Sequence, residues 1–130
     1  VPVDGAVIVT TPQDIALLDA RKGIEMFRKV NVPVLGVVEN MSLHVCSNCG
    51  HAEPIFGEGG GERIATEYET RVLGRLPLAL SIREQVDGGR PTVVAEPEGE
   101  VTAIFRAMAR QVAEQVAGQD DTGPNITFSD

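Results

Sequence analysis

The run Ala6-Val7-Ile8-Val9-Thr10-Thr11-Pro12-Gln13-Asp14, answered further on by Val34-Leu35-Gly36-Val37-Val38, decides the fold. The first run is rich in β-branched residues and bounded by Gly5 and Pro12. Apolar residues that follow one another without alternation predict a strand buried on both faces, as in a parallel sheet. Thr11 is a candidate N-cap, Pro12 suits a first helical turn and Asp14 places an acid close behind; together they predict a helix start. Leu17, Ala20, Ile24 and Phe27 then recur at helical spacing, so one face packs on the sheet. Arg21, Lys22, Arg28 and Lys29 make up the solvated side. Asn31-Val32-Pro33 breaks the helix before the second run. Strand, helix and strand with short connections predict a right-handed βαβ unit with parallel strands.

The rest of the chain extends that unit. Val72-Leu73-Gly74-Arg75-Leu76-Pro77 reads as a third short strand ending in a proline turn. Between strands two and three, Gly57-Glu58-Gly59-Gly60-Gly61 reads as a flexible approach to a helix that runs from Glu62 to about Glu69. Glycine amides at a helix start can hold an anion, but this run lacks the Lys-Ser/Thr of a phosphate loop and follows no strand directly, so it is read as a hinge. A short helix is expected from Ala79 to Val86, an extended segment over Arg90–Val94, and a last helix from about Glu98 to Ala117 with Val101, Ile104, Phe105, Met108, Val112 and Val116 on one face. Met26, Met41 and Met108 are expected to pack. Residues 118–130 are polar and partly acidic, and are expected to form a disordered tail. The expected class is α/β, with three parallel strands and flanking helices. The first strand has no upstream neighbour in the sequence, so its edge is expected to lie open and to drive dimerisation or aggregation.

Composition narrows the partners. The chain has 130 residues, enough for one modest core, and a formal charge of −8. Nucleic-acid binding wants an excess of Lys and Arg, as does docking on anionic lipid; both are expected to be absent. No apolar run reaches the length of a spanning helix, and no secretory signal opens the chain. A reducing cytoplasm is the expected compartment.

The chemistry is concentrated in His44-Val45-Cys46-Ser47-Asn48-Cys49-Gly50-His51, which holds both cysteines and both histidines of the chain. Thiolates spaced C-x-x-C sit on one tight turn and can share a metal ion or a cluster. Gly50 lets the backbone turn so that amides can point at sulfur. A single pair supplies two of the usual four ligands. His44 and His51 could complete a mononuclear site such as zinc, although His44 lies close to Cys46 in sequence and strains a single tetrahedron. The alternative is a second copy of the chain across a twofold axis. A redox dithiol remains a third reading, but Gly50-His51-Ala52-Glu53-Pro54 is a poor start for the helix such pairs favour. No Ser/His/Asp set or carboxylate pair has a spacing that commits it to catalysis.

Several stretches, taken together, carry a resemblance. Asp4-Gly5-Ala6-Val7-Ile8-Val9-Thr10-Thr11-Pro12-Gln13, Arg21-Lys22-Gly23 with Met26-Phe27, and Val38-Glu39-Asn40-Met41-Ser42 form its first part. Cys46-x-x-Cys49-Gly50, Ile55-Phe56-Gly57-x-Gly59-Gly60 and Leu73-Gly74-Arg75-Leu76-Pro77 complete it. In this order and spacing, from residue 1 to about 117, the chain closely resembles the Mrp/ApbC family of iron–sulfur cluster carrier ATPases, MinD-like members of the P-loop superfamily. The resemblance implies that Cys46 and Cys49 bind a [4Fe–4S] cluster bridging the two subunits of a homodimer and pass it to apo iron–sulfur proteins. It implies that Asn40 reads the adenine of ATP, an amide offering donor and acceptor together, and that Pro77 flanks the base. Thr11-Pro12-Gln13 would lie near the nucleotide. The family's Lys-Gly-Gly-x-Gly-Lys-Ser/Thr loop and its magnesium and switch aspartates have no counterpart in this sequence. Residues 1–117 are therefore expected to be the carboxyl-terminal half of a P-loop ATPase domain. ATP and magnesium would belong to a longer parent, and the chain alone is expected not to hydrolyse ATP.

Overall fold

A computed structural model describes residues 2–119. β1 (Ala6–Thr10), α1 (Asp14–Lys29) and β2 (Val34–Glu39) form the expected βαβ unit, and β1 pairs with β2 in parallel. A two-stranded antiparallel hairpin follows, β3 (His44–Val45) and β4 (Ala52–Glu53), and then α2 (Gly60–Glu67). β5 (Val72–Arg75) pairs with β2 in parallel, so the main sheet has the order β1-β2-β5. The chain ends, among the described residues, with α3 (Leu80–Asp87), α4 (Thr92–Ala95) and α5 (Glu100–Ala117). The tail expected over 118–130 lies, from residue 120 on, outside the described residues.

Alternation along the strands divides the core in two. On one face Ile8 and Val37 pack with Leu17, Ala20 and Ile24 of α1 and Ile64 of α2. On the other, Val38 and Leu73 meet Leu76 and Met108, with Val101, Ile104 and Val112 of α5 against them. Of the periodic residues read from the sequence, Leu17, Ala20, Ile24 and Phe27 pack on the first face and Val101, Ile104, Met108 and Val112 on the second as expected, whereas Phe105 is exposed.

Five further expectations need correction. β1 is not buried on both faces: Ile8 is buried, but Val7 and Val9 are exposed, Val9 by 64 %. The cause is the reach of α5, which packs against β5 and Val38 rather than over β1. Thr11 does not cap α1. The helix begins two residues later, with Gln13 as an N-cap that makes no side-chain bond, and the Thr11 hydroxyl donates to Gln13 Oε1 at 3.0 Å. Residues 92–95 form a helical turn rather than an extended segment, because the buried Thr102 of α5 donates its hydroxyl to Glu96 O at 2.6 Å and folds the chain back. Met26 is half-exposed rather than packed.

The glycine run is the fifth correction, since it is packed rather than a loose hinge. Gly60 and Gly61 are buried in the first turn of α2. A Cβ on Gly60 would lie 3.0 Å from Pro12 Cα, and one on Gly61 3.2 Å from Glu39 Cβ. Gly60 and Gly61 serve close approach, while Gly59 before them takes a left-handed φ of 71°.

Candidate functional site

Open parallel sheets place ligands beyond the carboxyl ends of their strands, and the sequence-derived candidates converge there. The main chain continues the sheet past β2 and β5: Asn40 N–H donates to Thr10 O at 2.7 Å and Leu76 N–H to Glu39 O at 2.9 Å. The two segments then run side by side, with Ser42 N–H on Leu76 O at 3.0 Å and Leu78 N–H on Leu43 O at 2.8 Å. Asn40 and Pro77, separate in the sequence, therefore border the same end of the sheet. Pro12 joins them there through its contact with Gly60. The Asn40 side chain is oriented by its own backbone, its Oδ1 accepting from Met41 N–H at 2.9 Å.

The cysteines sit on the loop of the β3–β4 hairpin, which is fastened to this end of the sheet where Val45 N–H donates to Leu78 O at 3.0 Å. Two further bonds close the loop: Cys46 N–H donates to His51 O at 2.9 Å and Gly50 N–H to Cys46 O at 2.9 Å. Gly50 has φ of 75°, the left-handed conformation the turn needs, and faces open space. Both thiols are free; Cys46 is half-buried and Cys49 exposed. A depression of about 300 Å³ separates Cys46 and Ser47 from Leu80 and Ser81 at the start of α3.

The loop favours a thiolate at Cys46. The backbone amide of Cys49, then that of Asn48 and the Cys49 side chain, hold the Cys46 thiol below its ordinary value, against its partial burial and the charge of Glu53. A lowered acid pKa puts thiolate in place at lower pH. Alkylation of Cys46 by iodoacetamide, followed by peptide mass spectrometry, is therefore expected to reach half its plateau rate below the midpoint of an ordinary thiol, and a midpoint at or above that value would contradict the amide geometry.

Neither histidine is gathered in. His44 pairs across the hairpin with Glu53, and His51 Nε2 lies 3.9 Å from Glu53 Oε2. Among the described residues no three His, Cys, Asp or Glu side chains form a group that could hold a metal ion. The described residues thus offer two soft sulfur donors, Cys46 half-buried and Cys49 exposed, and no third ligand. That donor set is half of what an iron–sulfur cluster needs. It also lacks the helix start of a thioredoxin-type dithiol.

A protein-family model described as ParA, NUBPL iron-transfer P-loop NTPase, matches residues 1–113. The chain belongs to that family. Its relatives include the iron-sulfur cluster carrier protein of Escherichia coli (strain K12), 61 % identical over 98 % of this chain and 35 % of the relative. The chain thus spans about a third of the length of the curated relatives it matches. Among solved structures, a nucleotide-binding protein from Archaeoglobus fulgidus in complex with ADP aligns with a TM-score of 0.61 at 35 % identity, over 76 % of this chain and 40 % of that one. The septum site-determining protein MinD of Pyrococcus horikoshii aligns with a TM-score of 0.64 at 24 % identity, over 88 % of this chain and 43 % of that one, which identifies the fold. The ParA/NUBPL sheet, MinD-like in its three parallel strands, is the scaffold that the βαβ pattern announced.

Sequence reasoning missed one group in this ParA/NUBPL site. Glu39, at the end of β2, is 2 % exposed. Its signal was a charged residue closing an otherwise apolar strand. Its partners, Ser42, Gly61 and Arg75, come from three further segments and are visible only in the fold.

Proposed function

We propose that this chain binds an iron–sulfur cluster through Cys46 and Cys49 and takes part in its transfer to apo iron–sulfur proteins, as part of an ATP-binding carrier. The observation that carries the reading is the hairpin. It presents two free thiols on a rigid loop, with amides favouring thiolate at Cys46 and no third ligand within the described residues. A [4Fe–4S] cluster takes four cysteine thiolates, and two copies related by a twofold axis supply them. The bridged homodimer follows from that count. Exposure of the loop suits a cargo that must leave again, and membership of an iron-transfer family supports the same use. Free thiols fit a reducing cytoplasmic compartment. The parallel-sheet unit over residues 1–117 is read as the part of the carrier that bears both the thiols and the base-side wall of the nucleotide site.

Asn40 and Pro77 form that wall in this reading. The Asn40 Oδ1 bond to Met41 aims the amide while leaving its Nδ2 donor free for an adenine nitrogen. Hydrolysis needs more: phosphoryl transfer depends on amides, lysine and magnesium around the phosphates, and no Gly-Lys-Ser/Thr stretch occurs in these 130 residues. The purified chain is therefore expected to show no magnesium-dependent release of phosphate from ATP. Turnover above a buffer blank would overturn the assignment of that chemistry to other parts of the carrier. Anaerobic reconstitution with ferrous iron and sulfide tests the cluster reading itself.

A further inference from the structure

Glu39 is a buried charge that neither the thiol loop nor the nucleotide wall uses. Its Oε1 accepts from Gly61 N–H at 3.0 Å, and its Oε2 accepts from the Ser42 hydroxyl at 2.6 Å. Arg75 Nε lies 3.6 Å from the same Oε2, and Arg75 also pairs with Glu62 of α2. A carboxylate taken out of water is costly unless hydrogen bonds and an opposite charge offset it, and here both are present. The partners come from the hairpin approach, the first turn of α2 and the end of β5. Gly61 admits this contact by having no Cβ. The N-cap of α2, Gly59, offers no side chain, so Glu39 supplies the negative group that a helix start favours.

The link to the hairpin is short. Met41 has φ of 55°, a left-handed conformation that a side chain of this size adopts at a cost. It is held on one side by the Asn40 amide and on the other by Ser42, whose N–H is on Leu76 O and whose hydroxyl is on Glu39. Two residues on, His44 begins β3.

We infer that Glu39 is a positioning residue that clamps the Asn40–Ser42 segment to the glycine start of α2 and so fixes the cysteine hairpin on the end of the sheet. A shift of Gly61 is passed to the hairpin approach through this carboxylate. The role does not depend on what the cysteines bind, and its test uses the chain with no metal added, so it fails or stands apart from the cluster reading.

Hydrogen exchange followed by mass spectrometry on the 130-residue chain is the measurement, comparing Ser42→Ala, Glu39→Ala, Glu39→Gln and the double alanine variant. Loss of one charge-assisted hydrogen bond is expected to raise exchange over residues 41–51 by about tenfold in Ser42→Ala. Glu39→Ala should do at least as much, and the double variant no more than Glu39→Ala alone. Glu39→Gln keeps an acceptor for Gly61 and a group that can bond Ser42, and should restore near-native protection. Amides of α1 and β1 should not change in Ser42→Ala. If exchange over 41–51 is unchanged in Ser42→Ala, or rises equally in α1, the clamp is overturned. Should Glu39→Ala not fold, Ser42→Ala and Glu39→Gln decide the matter between them.

Discussion

Cys46→Ser and Cys49→Ser are each expected to abolish the proposed cluster loading: after anaerobic reconstitution, the brown charge-transfer absorption and the protein-bound iron and sulfide should fall by about tenfold or more. The size of the effect follows from the ligand count. With two thiols per chain and, among the described residues, no group of three side chains that could hold a metal ion, a serine in either position removes one of two ligands from each chain and half of those a pair of chains offers. A serine hydroxyl is a hard donor that stays protonated where a thiol ionises, so it does not stand in for sulfur. The surrounding fold should be untouched, because the loop is closed by backbone bonds from Cys46 N–H and Gly50 N–H rather than by the thiols. Circular dichroism and unfolding of the two variants should match the parent, which separates lost ligation from lost structure. Loaded protein should run at twice the mass of one chain, and the serine variants at one. Full loading of either variant would sink the thiolate site; a loaded monomer would sink the bridged arrangement. Stoichiometric zinc held by a monomer would transfer the cysteines to a different chemistry.

How much of this was legible in the sequence depended on how local the cause was. The helical face Leu17, Ala20, Ile24 and Phe27 and the run Val34–Val38 were readable because periodicity and β-branching act within a few residues. So were Cys46 and Cys49, since their turn is set by the residues between them and by Gly50. The short strands of the β3–β4 hairpin were not, because two-residue strands carry no period. β1 was misread for a different reason. The outward positions of Ala6–Thr10, Val7 and Val9, are apolar and do not mark an outer face, and whether they are covered depends on how far α5 reaches, a property of residues about a hundred positions away. Arg90–Val94 looked extended for its Pro91 and valines, whereas Thr102 turns the segment after Pro91 into a helical turn. Asn40 and Pro77 could be named one by one, but their meeting needed β5 to pair beside β2. The Glu39 clamp was least legible of all, since its bonds to Gly61 and Arg75 cross the sheet end between segments with no sequence relation.

The same contrast between covered and uncovered faces sets the stability of the chain. Ile24 is 0 % exposed in the middle of α1, enclosed by Ile8, Leu17, Ala20, Val37 and Ile64. Ile24→Ala should cost about 2–5 kcal/mol, the lost transfer free energy plus a cavity that five neighbours from four elements cannot jointly close. Against a total of about 5–15 kcal/mol for a domain, that is a large share, and the urea midpoint should fall by about 1 M or more. Ile24→Val removes one methylene and should cost about 0.5–1.5 kcal/mol, giving a graded series at one position. Val9, only one residue from the buried Ile8 in β1, is the control. Val9→Thr keeps the branched shape and the strand propensity, and its outer face meets solvent, so the stability should change by less than about 0.5 kcal/mol. The series distinguishes two accounts of β1. If Val9→Thr destabilises as much as Ile24→Ala, the α5 side of β1 is covered in solution, and a second surface, that of another copy or of a longer carrier, packs where the monomer leaves it bare. If the two differ by the amounts above, β1 is held by its ladder with β2 and by the packing under α1 and α2, and the free face of that strand carries no part of the stability of this chain.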